Sequence, residues 1–387
     1  MRTALVNGRI LTRDGILAGH ALLLAGARIE GLVAADDPRC RDALREDLGG
    51  QLLVPGFVDI QVNGGGGVLF NDTPGVEAIR LIGAAHRRYG TTAFLPTVIS
   101  DDLGTIGRAI AAVQAAIDAG TPGVLGIHVE GPFLNQQRRG VHDARHLRVL
   151  DAALVPALGA LRGGRTLLTL APEMTTPAVI AELVRAGIIV AAGHSNATFA
   201  QVAAAIGSGL RGFTHLFNAM SPLTPREPGV VGAALFDQST WCGIIVDGHH
   251  VDPVSLRIAL RCKRHDRFVL VTDAMPPVGS PAATFVLQGR TIRVVDGVCR
   301  DDNGTLAGTA LDMAAAVRNA VSLLGLELVE AVRMASEYPA EFLGLGHELG
   351  RIAVGYRANL ALLDDALVVR RTWIDGVGDE PTAPRPT

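Results

Sequence analysis

The 387-residue chain is long enough for one large domain or for a large and a small one. Its 48% hydrophobic residues, 46 glycines and 4% aromatics exclude a disordered chain and describe a compact α/β protein rich in tight turns. A formal charge of −3, with no block of Lys or Arg, argues against nucleic acid or an acidic membrane as partner.

Residues 1–51 read as short strands broken by Gly and Asp turns, with no helical period. The opening MRTALVNGRILTRDG lacks the apolar run of a signal peptide, and ALLLAGARIEGLVAA is too short and interrupted to span a bilayer, so a cytoplasmic protein is expected. Cys40, Cys242, Cys262 and Cys299 form no CxxC pair and are expected to be reduced. Eight apolar runs follow: 52–62, 91–100, 123–131, 166–174, 187–195, 209–217, 241–248 and 267–274. Ala/Leu-rich helical segments separate most of them, the pattern of a parallel sheet. Eight such units favour a (β/α)8 barrel, which typically takes about 250 residues, with an open doubly wound sheet as the alternative. Residues 285–308 read as a hairpin inserted after the eighth strand. Residues 347–387 return to β texture and end in the tail DEPTAPRPT, expected to be loose. The expected organisation is a barrel over 52–346 and a small β-sandwich domain built from both termini, 1–51 and 347–387.

Function is written at the strand ends. In 187–220 two apolar runs each end in a histidine, His194 in AAGHSNAT and His215 in FTHLFNAM, with a helical segment between them. In a parallel barrel that edge carries the catalytic residues, so both imidazoles face one mouth. Either histidine alone reads as a buried residue satisfied by a carbonyl; at equivalent positions, together, they read as half a metal site. Glu130, after the third run, completes a two-nitrogen, one-oxygen set suited to zinc, with iron, cobalt or manganese as other occupants. Asp273, closing the run VLVTD, is placed as the general base; capping a turn is its structural alternative. Ser195 lacks the setting of an activated nucleophile.

The spaced motifs PGFVDIQVNGGGG, HVEGPFLNQQRRGVH, LAPEM, AAGHSNAT, THLFNAMSPL, DGHHVDP, LVTDAMPP and GTLAGTALDM carry a resemblance that spans nearly the whole chain. In that order they are similar to the N-acetylglucosamine-6-phosphate deacetylases of the amidohydrolase superfamily. The resemblance implies a barrel hydrolase that removes acetate from N-acetylglucosamine 6-phosphate, using Glu130, His194 and His215 as metal ligands and Asp273 as acid/base. It further implies that His142 contacts the substrate near its acetyl group. Asn218, Ala219, Arg226 and His250 match sugar-phosphate contacts, and a homodimer in which His250 acts across the interface is implied.

Many amidohydrolases open the barrel with a His-x-His pair that holds a second metal. Here Gln61-Val62-Asn63 stands in its place, and amides ligate transition metals poorly. One divalent metal per chain is therefore expected, with Gln61 and Asn63 lining the pocket. Three rival readings remain: the galactosamine epimer as substrate, a different metal-dependent amidohydrolase, and a non-catalytic sugar-phosphate-binding protein. Retention of all four metal and acid/base residues argues against the last.

Overall fold

The computed structural model describes residues 2–379. Eight parallel strands follow one another around a single sheet in sequence order: β1 (Phe57–Val62), β2 (Thr91–Ile99), β3 (Gly126–Glu130), β4 (Arg165–Leu170), β5 (Ile189–Ala192), β6 (Gly212–Phe213), β7 (Trp241–Ile244) and β8 (Phe268–Leu270). The ring closes just beyond β8. Val62 bridges Ala274, Asn63 N–H donates to the Ala274 carbonyl at 2.9 Å, and the Thr272 hydroxyl donates to Asp59. This is the (β/α)8 barrel, not the open sheet. The strands are apolar almost throughout because helices cover their outer face and side chains fill the interior.

Seven helices lie between the strands: α1 (Val76–Arg87), α2 (Leu103–Asp118), α3 (Val155–Leu158), α4 (Pro177–Arg185), α5 (Phe199–Gly207), α6 (Gly229–Phe236) and α7 (Pro253–Cys262). Their starts are set by side chains that satisfy free backbone N–H groups. Asp102 accepts from Thr105 N–H, and Thr176 from Val179 N–H with Pro177 as the first helical residue. Thr198 and Gln201 form a reciprocal capping box at the start of α5. Ile82, Val113, Leu183 and Val202 on the helices join Ile127, Val129, Leu168, Val190 and Ile244 on the strands in one core. Each such side chain contributes about 1.5–3 kcal/mol by leaving water.

Two further sheets form the accessory β-domain. The smaller has four strands in the order Arg28–Ala34, His20–Ala25, Arg2–Val6, Leu44–Asp47; the larger has six and uses both ends of the chain. In the larger, Leu360–Leu363 pairs with Leu52–Pro55, which pairs in turn with Arg9–Thr12. Leu5, Leu22 and Ile29 from one sheet pack with Leu53, Leu360 and Trp373 from the other, so the domain is a sandwich. Of the terminal tail only Asp379 is described, and it accepts from the Thr372 hydroxyl; 380–387 lie outside the described residues.

Two local readings change. The first apolar run is two strands: Leu52–Pro55 belongs to the sandwich, and the barrel begins at Phe57. Gly56 between them lies so close to Thr92 that a Cβ there would meet its hydroxyl at 2.2 Å. The insertion is not one hairpin but four antiparallel strands, Thr284–Leu287, Arg290–Val295, Val298–Arg300 and Leu306–Thr309. Its first two turns, Gln288-Gly289 and Asp296-Gly297, have positive φ at both central residues, the geometry that matches the twist of paired strands. Leu287, Ile292, Cys299 and Ala307 seat this sheet on Leu69, Ile99 and Met275 at the barrel mouth.

Candidate active site

Glu130 ends β3, while His194, His215 and Asp273 lie two or three residues beyond β5, β6 and β8. Glu130, His194 and His215 are buried, and Asp273 is half-buried at the cavity wall. His194, His215 and Asp273 adopt left-handed backbone angles (φ 48°, 34° and 51°), which non-glycine residues rarely do. The chain accepts this conformation where it turns three side chains from the strand ends towards one point.

Glu130 Oε1 lies 3.2 Å from His194 Nε2 and 3.0 Å from His215 Nε2, and the two nitrogens are 3.0 Å apart. His194 Nδ1–H donates to the Arg138 carbonyl at 2.9 Å, which leaves its Nε2 lone pair directed inward. One imidazole proton cannot satisfy three facing acceptors. A tetrahedral ion bound at about 2.0–2.1 Å sets its donors about 3.3 Å apart, close to the spacing seen. The three groups fit a single divalent metal ion. Burial would raise the pKa of Glu130, but His194 and His215 outweigh it and hold the carboxyl well below its ordinary range.

Gln61 and Asn63 are part of this site as supports. Asn63 Nδ2 donates to Asp273 Oδ1 at 2.7 Å, and Gln61 Nε2 donates to the same oxygen at 3.1 Å and to Glu130 Oε2 at 3.2 Å. Asn63 faces the cavity, whereas Gln61 lies beneath it. Burial, reinforced by Glu130, pushes the Asp273 carboxyl up to about 6, in the range of a group that takes and returns protons near neutrality. Beneath it burial raises Asp59 to about 7, against the pull of its bonds from Thr272 and Gln61.

His142 is buried beside His194, with ring centroids 4.4 Å apart. Ser100 N–H points at His142 Nδ1 from 3.4 Å and the Ser100 hydroxyl lies 2.7 Å away, so Nδ1 accepts and Nε2 carries the proton. Burial and the neighbouring His194 lower its pKa to about 3, so the ring is neutral at pH 7. His128 belongs instead to the barrel floor, 2.7 Å from the Thr169 hydroxyl. Ser195 is no nucleophile: its hydroxyl donates to Glu173, which also accepts from Asn196 N–H and Asn135.

These groups open into a cavity of about 360 Å³, lined also by Asn218, Ala219 and His250. His250 Nδ1 lies 2.6 Å from Asp247 Oδ2, and its ring faces the cavity of its own chain. Arg226 is not brought in. It is exposed on the loop that follows Ala219, forms no salt bridge among the described residues and does not line the cavity. The adjacent Glu227 accepts from Phe199 N–H and Gly229 N–H.

One part of the site escaped the sequence reading. Thr309 N–H donates to the Asp273 carbonyl and the Thr309 hydroxyl to the Thr272 carbonyl, so the inserted sheet holds Asp273 from outside the barrel. Gly308 is required there, since a Cβ would lie 2.9 Å from the Asp273 oxygen. The GTLAGT motif was the available signal.

A parallel barrel whose mouth gathers a buried His₂Glu set beside a carboxyl of raised pKa defines a metal-dependent hydrolase. The chain belongs to the amidohydrolase family, which residues 52–377 match. Within it the chain is closely related to the N-acetylhexosamine-6-phosphate deacetylases. It is 47% identical over 380 residues to the N-acetylgalactosamine-6-phosphate deacetylase of a Shewanella species, covering 96% of this chain and 94% of the relative. It is 36% identical over 380 residues to the N-acetylglucosamine-6-phosphate deacetylase of Haemophilus influenzae, covering 97% and 99%. The crystal structure of the N-acetylglucosamine-6-phosphate deacetylase from Pasteurella multocida superposes with a TM-score of 0.94 at 38% identity, covering 98% of this chain and all of the other. Among the described residues no helix is long and apolar enough to cross a membrane.

Proposed function

We propose that this enzyme removes acetate from an N-acetylhexosamine 6-phosphate, with N-acetylgalactosamine 6-phosphate as its preferred substrate. The reaction is carried by one observation: Glu130, His194, His215 and Asp273 converge on a single cavity of a size suited to a sugar phosphate. The epimer departs from the glucosamine expectation, and the higher identity to the galactosamine-type relative supports it.

A divalent ion held by Glu130, His194 and His215 would act as a Lewis acid towards water and the acetamide carbonyl. The chain's own residues do the rest. Asp273, oriented by Asn63 and Gln61, takes a proton from the attacking water as the carbon–oxygen bond forms. It then returns that proton to the amide nitrogen as the carbon–nitrogen bond breaks, giving acetate and the free amine. His142, neutral with its proton on Nε2, donates to the carbonyl oxygen as negative charge develops there. Asn218, Ala219 and His250 line the part of the cavity that would receive the sugar phosphate, whereas Arg226, outside that lining, would have to swing in from its exposed loop to meet the phosphate.

The homodimer is likewise part of this proposal. Phe236 on α6 is 75% exposed and Leu223 on the Arg226 loop 58% exposed, with Val254 and Ile258 exposed on α7. These exposed apolar side chains on and around α6 and α7 are the ones against which a second copy would pack.

The test is acetate release from both epimers, with and without the 6-phosphate, after metal reconstitution. Release from neither 6-phosphate refutes the reaction, and a higher kcat/KM for the glucosamine epimer refutes the substrate preference.

A further inference from the structure

The loop that carries His142 has little structure of its own. Residues 140–147 contain no helix or strand. Among the described residues their hydrogen bonds are local except in two places. His142 meets Ser100, and Asp143 N–H donates to Gln288 Oε1 at 2.8 Å. Gln288 Nε2 donates at the same time to the Ser100 carbonyl. A backbone N–H only donates and a carbonyl only accepts, so the amide has one orientation. One side chain thus holds Ser100, whose hydroxyl and N–H face the His142 ring, and the peptide unit that follows His142. On the other side of His142, Val141 packs against the apolar cluster that seats the inserted sheet.

Gln288 is an unusual residue for its place. It is the first central residue of the turn between the first two inserted strands, with φ 48°, where Asn, Asp or Gly is favoured. The second turn, Asp296-Gly297, keeps that preference. Asn would suit the first turn better, but its side chain is one methylene shorter and would give up the contacts with Ser100 and Asp143. A left-handed residue held against its preference, and bonded on both sides of one loop, points to a task beyond the turn itself. The opposite edge of the same sheet, at Thr309, holds Asp273.

We infer that Gln288 is a positioning residue: from the tip of the inserted sheet it fixes Ser100 and the His142 loop, so that His142 Nε2–H meets the carbonyl oxygen of the substrate. This rests on the function proposed above, and the experiment separates the two. Wild type, Gln288→Asn, Gln288→Ala, His142→Ala and the double variant His142→Ala/Gln288→Asn are assayed for acetate release from both N-acetylhexosamine 6-phosphates, with Tm measured on each. Charge on the carbonyl oxygen develops only in the transition state, so kcat should fall about 10–100-fold in both Gln288 variants. KM should stay within about threefold, because ground-state binding is untouched. Asn keeps the turn geometry, so the Tm of Gln288→Asn should lie within about 3 °C of wild type. In the His142→Ala background the same change should cost less than about twofold more, since it acts through a ring already removed. Wild-type enzyme inactive on both 6-phosphates overturns the underlying reading and this inference with it. With an active wild type, three results overturn the inference alone: a Gln288→Asn enzyme that keeps its kcat whatever its Tm, a loss confined to KM, or an equal loss of kcat with and without His142.

Discussion

Replacing Asp273 by Asn separates the acid/base role from a structural one. The change keeps size and polarity, and an amide oxygen at the Oδ1 position can still accept from Asn63 and Gln61, now 2.7 and 3.1 Å away. Those two bonds lose their charge assistance. Against that, the buried negative charge beside Glu130, which raises the Asp273 pKa, disappears. The balance should remain on the order of 2 kcal/mol, or about 2–3 °C in Tm for a chain of this length. What Asn cannot do is take and return a proton, so turnover should fall about 10²–10⁴-fold or more, a barrier higher by about 3–5 kcal/mol. The pH profile adds a second readout. Burial and Glu130 raise the folded pKa to about 6, and the base form is the active one, so wild-type activity should fall as pH drops through that value. A bound cation draws the limb to lower pH, so it should lie at or below about 6. Tm, metal content and acetate release measured on one preparation decide the matter. A folded, metal-loaded Asp273→Asn enzyme within threefold of wild type would refute the assignment.

Metal analysis of fully active enzyme should give one divalent ion per chain, and His194→Ala or His215→Ala should lose it together with activity; a requirement for two ions would show that Gln61 and Asn63 do not close the second position. Chelation should lower Tm, because an ion bound only by the folded site stabilises it. Arg226→Ala should reduce kcat/KM for the phosphorylated sugar more than for its unphosphorylated counterpart, and equal losses would make Arg226 scaffolding. Phe236→Glu should convert a dimer into monomers in light scattering, whereas a wild-type monomer, or a variant that stays dimeric, would refute the proposed interface.

Much of this protein is determined by its sequence. The repeated alternation of apolar runs and amphipathic segments specifies a parallel barrel, because strands buried on both faces leave no polar period. The histidines and carboxylates at strand ends are legible for the same reason: a polar residue closing a buried run must face the mouth. Gln61 and Asn63 in the position of a His-x-His pair are equally plain, as amides are poor ligands. Tertiary structure alone decided the rest. Hydropathy runs straight through Gly56, so the division of 52–62 between sandwich and barrel depends on Leu52–Pro55 pairing with Leu360–Leu363, about 300 residues away. Local pattern likewise says nothing of what Gln61 and Asn63 touch, and only closure of the ring brings both amides onto Asp273. Arg226 stands in a motif and stays outside its own cavity, while Arg300 stands in none and lines it. Both outcomes follow from loops and sheets folding over the mouth, where positions are set by contacts between distant segments and not by the periodicity of either one.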